Sequence, residues 1–331
     1  MDGYVTIRSA SLDQLRAQVS WVERLGAKGI LIPDHLFVST DNRPRTEARR
    51  GSEPLVLLAA IATISDRLEV GTSVSNIGFV HPALLLRQFA QLAVLIGGRR
   101  VLARLGAGWN REEFESLGML MPSFGQRMER LEEAARLARD LFDHGIANVE
   151  GAHVIARDLP LAPLPETPPR LFLGGGSDRL LDIAGRYADV LDLNGTSAAG
   201  AVRGQNLPLA DLQRRMSTTV SGLERSVQRV NTAAASAGRP ANAVRISVLL
   251  NYVVFCAESL RSDTASRIRT AIGLPPGSLD DCPYVLIGEP SRMIDTLAQW
   301  RARFAVEAIL VTSQLPRETA ERLFDEVIAR A

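Results

Sequence analysis

The chain has 331 residues, of which 46% are hydrophobic and 23% charged, and its formal net charge is +1. The length fits two ordinary domains or one large α/β barrel, and the hydrophobic share excludes global disorder. The near-neutral charge argues against a nucleic-acid partner. The sequence shows no leader and no run of about 18 apolar residues, which argues against a membrane partner and favours a cytoplasmic protein.

Short aliphatic runs alternate with longer helical patterns along nearly the whole chain. Eight runs are flanked mostly by Gly, Pro or Asn, as is typical of strands: residues 5–9, 29–33, 68–75, 100–106, 170–174, 189–194, 244–255 and 307–312. Apolar spacing of three and four predicts helices at residues 12–25, 55–64, 83–96, 179–187, 209–236, 260–272, 291–304 and 317–331. Residues 112–142 are predicted to hold a long helix after a Pro-Ser-Phe-Gly interruption at residues 122–125. Three longer stretches are predicted to be loops or lids: residues 36–53, 145–169 and 195–208.

Alternating strands and helices imply parallel strands joined by right-handed crossovers. Eight such units in a chain of this length favour a closed (β/α)₈ TIM barrel with insertion loops, although spacing alone leaves an open doubly wound sheet possible. No low-complexity tract or linker divides the sequence, so residues 1–331 are predicted to form one domain.

Several predicted strand ends carry residues suited to a ligand site, because the carboxyl ends of barrel strands form the active-site rim. Asp34 and His35 follow the second strand, and an imidazole that titrates near neutrality could act as an acid or base. Ser73 and Val74 end the third strand among small residues that allow close approach of a ring. Each of these segments could also be an ordinary strand tip or loop cap.

Two glycine-rich segments follow later strands. Gly106-Ala107-Gly108 permits close approach of a ligand to the backbone but lacks the third glycine of a dinucleotide fingerprint. Gly174-Gly175-Gly176-Ser177 precedes a predicted helix, and its amides could bind a phosphate; it could also be a flexible turn. Arg127 could add a cation for that phosphate or be one solvated arginine among many. The four histidines lack metal-ligand spacing, and the two cysteines are too few for a zinc site, so no metal is expected.

Taken in order, these segments resemble the bacterial luciferase-like family of flavin and deazaflavin oxidoreductases. The matching segments are Asp34-His35, residues 53–66 and 68–74, His81-Pro82, and residues 97–100, 106–114, 124–133, 168–177, 184–189, 288–290 and 308–311. The resemblance implies a (β/α)₈ barrel with a flavin-type ring at its mouth, against a bulged third strand with a non-proline cis peptide near Ser73 and Val74. It places the cofactor phosphate on Gly175, Gly176 and Ser177, with Arg127 in contact.

The resemblance implies an oxidoreductase acting on a small organic substrate. Asp34-His35 resembles the pair found in F420-dependent members and so favours coenzyme F420 as the cofactor, with FMN as the alternative. The arginine-rich composition, in which Lys28 is the only lysine, is what codon bias in a GC-rich genome produces, and it fits the actinobacteria in which F420 is common. The resemblance implies that His35 acts as the acid/base or orients the cofactor ring. It implies that Asp34 holds the histidine or contacts the ring edge. It further implies a homodimer and, for FMN, a monooxygenase with a separate flavin reductase.

Two departures from the family pattern affect this interpretation. Trp109 stands where the family's sugar-phosphate dehydrogenases have glutamate, and Ser39 stands where they have tryptophan, which argues against that activity. The link between Ser9 and Leu12 is also much shorter than the family's first loop, so a barrel that binds a flavin without turnover remains a third possibility.

Overall fold

The computed structural model describes residues 1–38, 49–193, 207–312 and 314–331. Eight parallel strands form its centre: β1 (Asp2–Thr6), β2 (Gly29–Ile32), β3 (Glu69–Thr72), β4 (Val101–Gly106), β5 (Arg170–Gly175), β6 (Val190–Leu193), β7 (Arg245–Leu250) and β8 (Val306–Val311). Strand β1 pairs with both β2 and β8, and β4 pairs with β5, so the sheet closes on itself. This closure confirms the (β/α)₈ barrel and excludes the open sheet.

Helices cover the outside of the barrel: α1 (Leu12–Arg24), α2 (Pro54–Ile64), α3 (Pro82–Ile96), α4 (Arg111–Ser116), α5 (Phe124–His144), α6 (Asp178–Tyr187), α7 (Leu207–Met216), α8 (Val220–Ser236), α9 (Arg261–Ala271), α10 (Pro290–Phe304) and α11 (Arg317–Arg322). Single 3₁₀ turns occupy Gly98–Arg100, Glu258–Leu260 and Ile328–Arg330, and a π turn occupies Leu323–Val327.

Hydroxyl side chains fix where several of these helices begin. Ser11 accepts the backbone N–H of Gln14 at α1, and Ser123 forms a reciprocal capping box with Gln126 at α5. The cap at Ser123 lies within the interruption expected at residues 122–125 and precedes the long helix α5. Similarly, Thr219 caps α8 and divides the predicted helix over residues 209–236 into α7 and α8.

Two predicted segments have a different structure from that expected. The predicted strand over residues 244–255 ends its barrel section at Leu250, and Tyr252–Phe255 pairs instead with Val285–Gly288 outside the barrel. The stretch 145–169, expected as a loop, contains an antiparallel pair of strands, Ile146–Glu150 and Ile155–Pro160. The first of these strands alternates exposed and buried residues, which is the period of a half-buried strand.

The other two predicted loops fall largely on residues outside the described ranges. Phe37–Val38 and Arg49–Arg50 form a short antiparallel pair, whereas residues 39–48 of the first loop, including Ser39, are not described. Of the stretch 195–208, only the last two residues are described, at the start of α7. Within the described parts of the chain, no helix is both long and apolar enough to cross a bilayer.

Among the described residues, the barrel interior combines an apolar cluster with a buried ion pair. Its hydrophobic members are Tyr4, Leu31, Leu102, Phe172, Val190, Ala308 and Leu310. Among them Arg104 Nη2 lies 2.6 Å from Asp192 Oδ2, and neither side chain is exposed to more than 1%. The Ser247 hydroxyl donates to the same carboxylate. Burial raises the pKa of Asp192, and the Arg104 guanidinium opposes that rise.

Candidate active site at the barrel mouth

Asp34 lies just beyond β2, at the carboxyl end of the barrel that we call the mouth. Its Oδ2 atom accepts the backbone N–H of Asn76 at 2.8 Å, which joins the segments that follow β2 and β3. Burial raises the pKa of the Asp34 carboxyl, and the hydrogen bond from Asn76 opposes that shift. Asp34 therefore lies at the predicted rim in an environment that disfavours its charge.

His35 is held by a residue that the sequence analysis did not select. Its Nδ1 atom lies 3.2 Å from both carboxylate oxygens of Glu113, at the start of α4. Of the two roles expected for Asp34, the structure shows no hydrogen bond from it to the histidine, because its Oδ2 atom accepts the Asn76 N–H. The Trp109 ring meets the imidazole edge-on, with centroids 5.5 Å apart and planes at 75°. His35 keeps 20% of its side chain exposed, which leaves it accessible at the mouth.

The peptide between Ser73 and Val74 is cis, at the position that the family resemblance implied. The Val74 side chain packs against two glycines on neighbouring strands. A β-carbon on Gly106 would overlap Val74 Cγ2, and one on Gly174 would lie 3.0 Å from Val74 Cγ1. Val74 therefore requires glycine at both positions. Its side chain forms part of the floor of the mouth.

Gly108 has a positive backbone angle, with φ of 73°, that L side chains rarely adopt. A β-carbon there would also overlap the Asn76 side-chain amide, so the backbone of this segment packs directly against the segment after β3. The neighbouring Ala107 is partly buried against the core. The segment 106–108 thereby joins the same rim as Asp34 and Val74, as the sequence predicts.

Gly175, Gly176 and Ser177 connect β5 to α6, and Ser177 caps that helix by accepting the backbone N–H of Leu180. The Ser177 hydroxyl lies 3.9 Å from Met128 Sδ, so the first turns of α5 and α6 are neighbours. The N–H groups of a helix's first turn lack partners within the helix, and such an end attracts anions. The geometry is suited to a phosphate.

Arg127 lies in the first turn of α5, directly before the methionine that Ser177 contacts. Its Nη1 atom donates to the Pro122 carbonyl at 2.6 Å, while its buried Nε atom has no hydrogen-bond partner in the described ranges. Burial and the nearby Arg111 guanidinium lower the pKa of Arg127. Arg111, a residue at the start of α4 that the sequence did not point to, therefore lies near Arg127.

The described residues hold no group of three His, Cys, Asp or Glu side chains that could bind a metal ion. The mouth instead collects an acid, an imidazole, bare glycine backbone and guanidinium groups. Such a set can move a proton, admit a flat ring and bind a phosphate. The one signal for Glu113 in the sequence was its place in Glu112-Glu113-Phe114 after the glycine segment, and spacing does not say which glutamate faces inward.

Residues 2–207 match the family model described as luciferase-like monooxygenase. The chain belongs to this family. A curated relative, the F420-dependent glucose-6-phosphate dehydrogenase of Kribbella flavida, is 30% identical over 168 residues, which is 50% of this chain and 48% of that protein. The pyrimidine monooxygenase RutA of Cronobacter sakazakii is 25% identical over 220 residues, 66% of this chain and 56% of that protein. The chain thus matches about half the length of these relatives.

Solved structures of the luciferase-like fold resemble the whole chain. An F420-dependent secondary alcohol dehydrogenase in complex with an F420-acetone adduct superposes with a TM-score of 0.71 at 16% identity, covering 100% of this chain and 99% of that one. EDTA monooxygenase from Chelativorans sp. BNC1 gives a TM-score of 0.72 at 17% identity, covering 99% and 92%. At these identities the likeness establishes the fold.

Proposed function

We propose that this luciferase-like protein is an F420-dependent oxidoreductase that transfers a hydride between the deazaflavin and a small organic substrate. The observation that carries the proposal is the position of His35, which is partly exposed at the mouth beside Asp34 and fixed by Glu113. The Kribbella flavida relative, an F420-dependent enzyme that matches half of this chain, supports the choice of F420.

The residues at the mouth fit a flat ring with a phosphate tail. Because Gly106 and Gly174 carry no side chain, Val74 packs against their backbone and would form the floor under the ring. Ser177 at the start of α6 and the guanidinium of Arg127 would hold the phosphate. Asp34 would contact the ring edge, because its carboxylate lies at the same rim.

When bound, a deazaflavin supplies a hydride donor or acceptor at its C5 atom. In the direction of substrate oxidation, His35 accepts the proton of a substrate hydroxyl as the hydride leaves the carbon. In the reverse direction, His35 donates a proton to the carbonyl oxygen. A general acid or base placed in this way contributes about 10²- to 10⁴-fold in rate.

The test is to titrate the purified protein with F420 and with FMN while following quenching of the cofactor's fluorescence. We expect saturable binding of F420, and tight binding of FMN with none of F420 would overturn the proposal. His35→Ala should then lower turnover of an identified alcohol or carbonyl substrate by about 10²- to 10⁴-fold without preventing F420 binding. His144→Ala, at the exposed end of α5, is the matched control and should change neither.

The second candidate is an FMN-dependent monooxygenase that needs a separate flavin reductase. The match to RutA favours it, because it extends over 66% of this chain. A barrel that binds the cofactor without turnover is the third candidate. Oxygen-dependent product formation with FMN and an added reductase would select the second, and cofactor binding without activity on a broad panel would select the third.

A homodimer that forms through helices α2 and α3 is also part of this proposal, as is a cytoplasmic location. The sequence of α2, PLVLLAAIATI, has no charged residue, and Val56, Leu84 and Leu95 on these helices are 53–69% exposed. A helix that is apolar on every side is typically covered on every side. Light scattering should give twice the chain mass for the wild type and the chain mass for Leu95→Glu. Leu120→Glu, at another exposed leucine, is the control and should leave the dimer intact. A monomeric wild type would contradict the proposed homodimer.

A further inference from the structure

Glu113 is a buried acid beside the site. Helix α4 carries three glutamates in its six residues, and of these Glu112 and Glu115 are exposed whereas only 2% of the Glu113 side chain is. A buried carboxylate is costly unless hydrogen bonds compensate for the lost hydration. The hydrogen bonds that Glu113 accepts therefore have to account for a buried carboxylate at this position.

The carboxylate of Glu113 accepts hydrogen bonds from the segment that follows β2. The backbone N–H of Leu36 donates to Oε1 at 2.7 Å, and His35 Nδ1 lies 3.2 Å from both oxygens. An ionised carboxylate only accepts hydrogen bonds, so Nδ1 must carry the hydrogen in this contact. A neutral imidazole bears one hydrogen, and its lone pair is then on Nε2.

Among the described residues, Glu113 is the acid that shares a hydrogen bond with this ring. Asp34, the neighbour in sequence, uses its Oδ2 atom for the Asn76 N–H. Trp109 packs edge-on against the imidazole and restricts its rotation. The Nε2 atom makes no hydrogen bond to any residue in the described ranges, so it is available to a ligand at the mouth.

We infer that Glu113 is a positioning residue that holds His35 in the tautomer with hydrogen on Nδ1, which makes Nε2 the atom that exchanges a proton with the substrate. The catalytic meaning of this assignment rests on the proposed function, but the tautomer itself does not. The arrangement follows a general pattern in which a carboxylate behind an imidazole fixes the tautomer and orientation of the ring.

The experiment is nitrogen-15 NMR of the imidazole rings in the protein without cofactor. The chain has four histidines, and the resonances that disappear in His35→Ala identify those of His35. We expect a protonated Nδ1 and an unprotonated Nε2 for the neutral ring of His35 in the wild type. A neutral ring with hydrogen on Nε2, or an even mixture of both forms, would overturn the inference without any variant being needed.

Glu113→Gln tests the cause. An amide offers one acceptor oxygen where the carboxylate offers two, and the closer donor, Leu36 N–H, takes it. The amide nitrogen then faces Nδ1, and we expect the ring to shift to the form with hydrogen on Nε2. An unchanged tautomer in a folded Glu113→Gln protein would show that Glu113 does not set it. Glu112→Gln, at the exposed neighbour on the same helix, is the matched control and should leave the spectrum unchanged.

The two proposals fail in different ways. Loss of the expected tautomer with F420 binding intact would defeat the role of Glu113 and leave the cofactor proposal standing. The expected tautomer with no F420 binding would support the role of Glu113 and defeat the cofactor proposal.

Discussion

The packing of Val74 against bare backbone predicts the effect of adding one methyl group at Gly106. The new β-carbon would overlap Val74 Cγ2, while its next neighbours, Val74 Cβ at 3.7 Å and Ser75 O at 3.8 Å, are at ordinary contact distance. The conflict in Gly106→Ala is therefore with one methyl of one side chain. Overpacking of this kind costs about 1–3 kcal/mol, and the lower entropy of the unfolded chain offsets about 0.4–1 kcal/mol of it.

Val74→Ala removes the conflicting methyl, so the two substitutions should couple. In the Val74→Ala background, Gly106→Ala should cost nothing or stabilise the protein slightly. The coupling free energy of the double-mutant cycle should then be about 1–3 kcal/mol, well above the error of about 0.5 kcal/mol expected for independent sites.

Urea denaturation of the wild type, the two single variants and the double variant gives the four free energies of unfolding in this cycle. The comparison requires that all four proteins have the same m-value. Gly222→Ala is the control, because no atom outside the chain neighbours and the helix's own backbone lies within 3.5 Å of the added carbon, and it should be neutral or stabilising. Equal effects of Gly106→Ala in both backgrounds would refute the reasoning. That result would mean that Val74 does not occupy the space above Gly106.

Three further outcomes follow from buried charges. Asp192→Ala leaves the Arg104 guanidinium buried without its counter-charge and should cost about 3–5 kcal/mol in urea denaturation; a loss below about 1 kcal/mol would contradict the ion pair. Burial raises the pKa of Asp34, so the folded protein binds more protons just above the ordinary value of 3.8, and stability falls as pH rises through that window. The stability gained by Asp34→Asn should therefore grow with pH and then level off, and a gain independent of pH would contradict the shift. Arg127→Met should weaken binding of a phosphate-bearing cofactor by about 10- to 100-fold and spare its phosphate-free chromophore, as measured by fluorescence titration; equal weakening of both would contradict a phosphate contact.

The sequence predicted the barrel because each strand and helix has its own local period. Its strand ends also located most of the mouth, since Asp34, Val74, Gly106 and Gly174 each end or follow a barrel strand. The boundaries failed where a local cap overrode the apolar pattern, as at Thr219. Sequence periodicity reports which face is apolar, but it does not report where a hydroxyl ends or begins a helix.

Contacts between distant parts of the chain were the other limit. Glu113 and His35 are 78 positions apart, and no local pattern distinguishes the inward glutamate from its exposed neighbour Glu112. Arg104 and Asp192 did leave a signal, because each is a charged residue within an apolar strand. Charges at inward strand positions that could face each other across a barrel indicate a buried pair, but spacing alone does not pair them.

The hydrogen bond from Leu36 to Glu113 uses the backbone and not the side chain. Any amino acid except proline can supply that N–H. Residue 36 can therefore be substituted without loss of the hydrogen bond beside the imidazole. The segment after His35 can therefore change its side chains while the contacts of Glu113 with His35 and with the backbone of residue 36 are kept. A saturation library at position 36 would be expected to tolerate wide chemical variety and to reject only the residue that lacks an amide hydrogen.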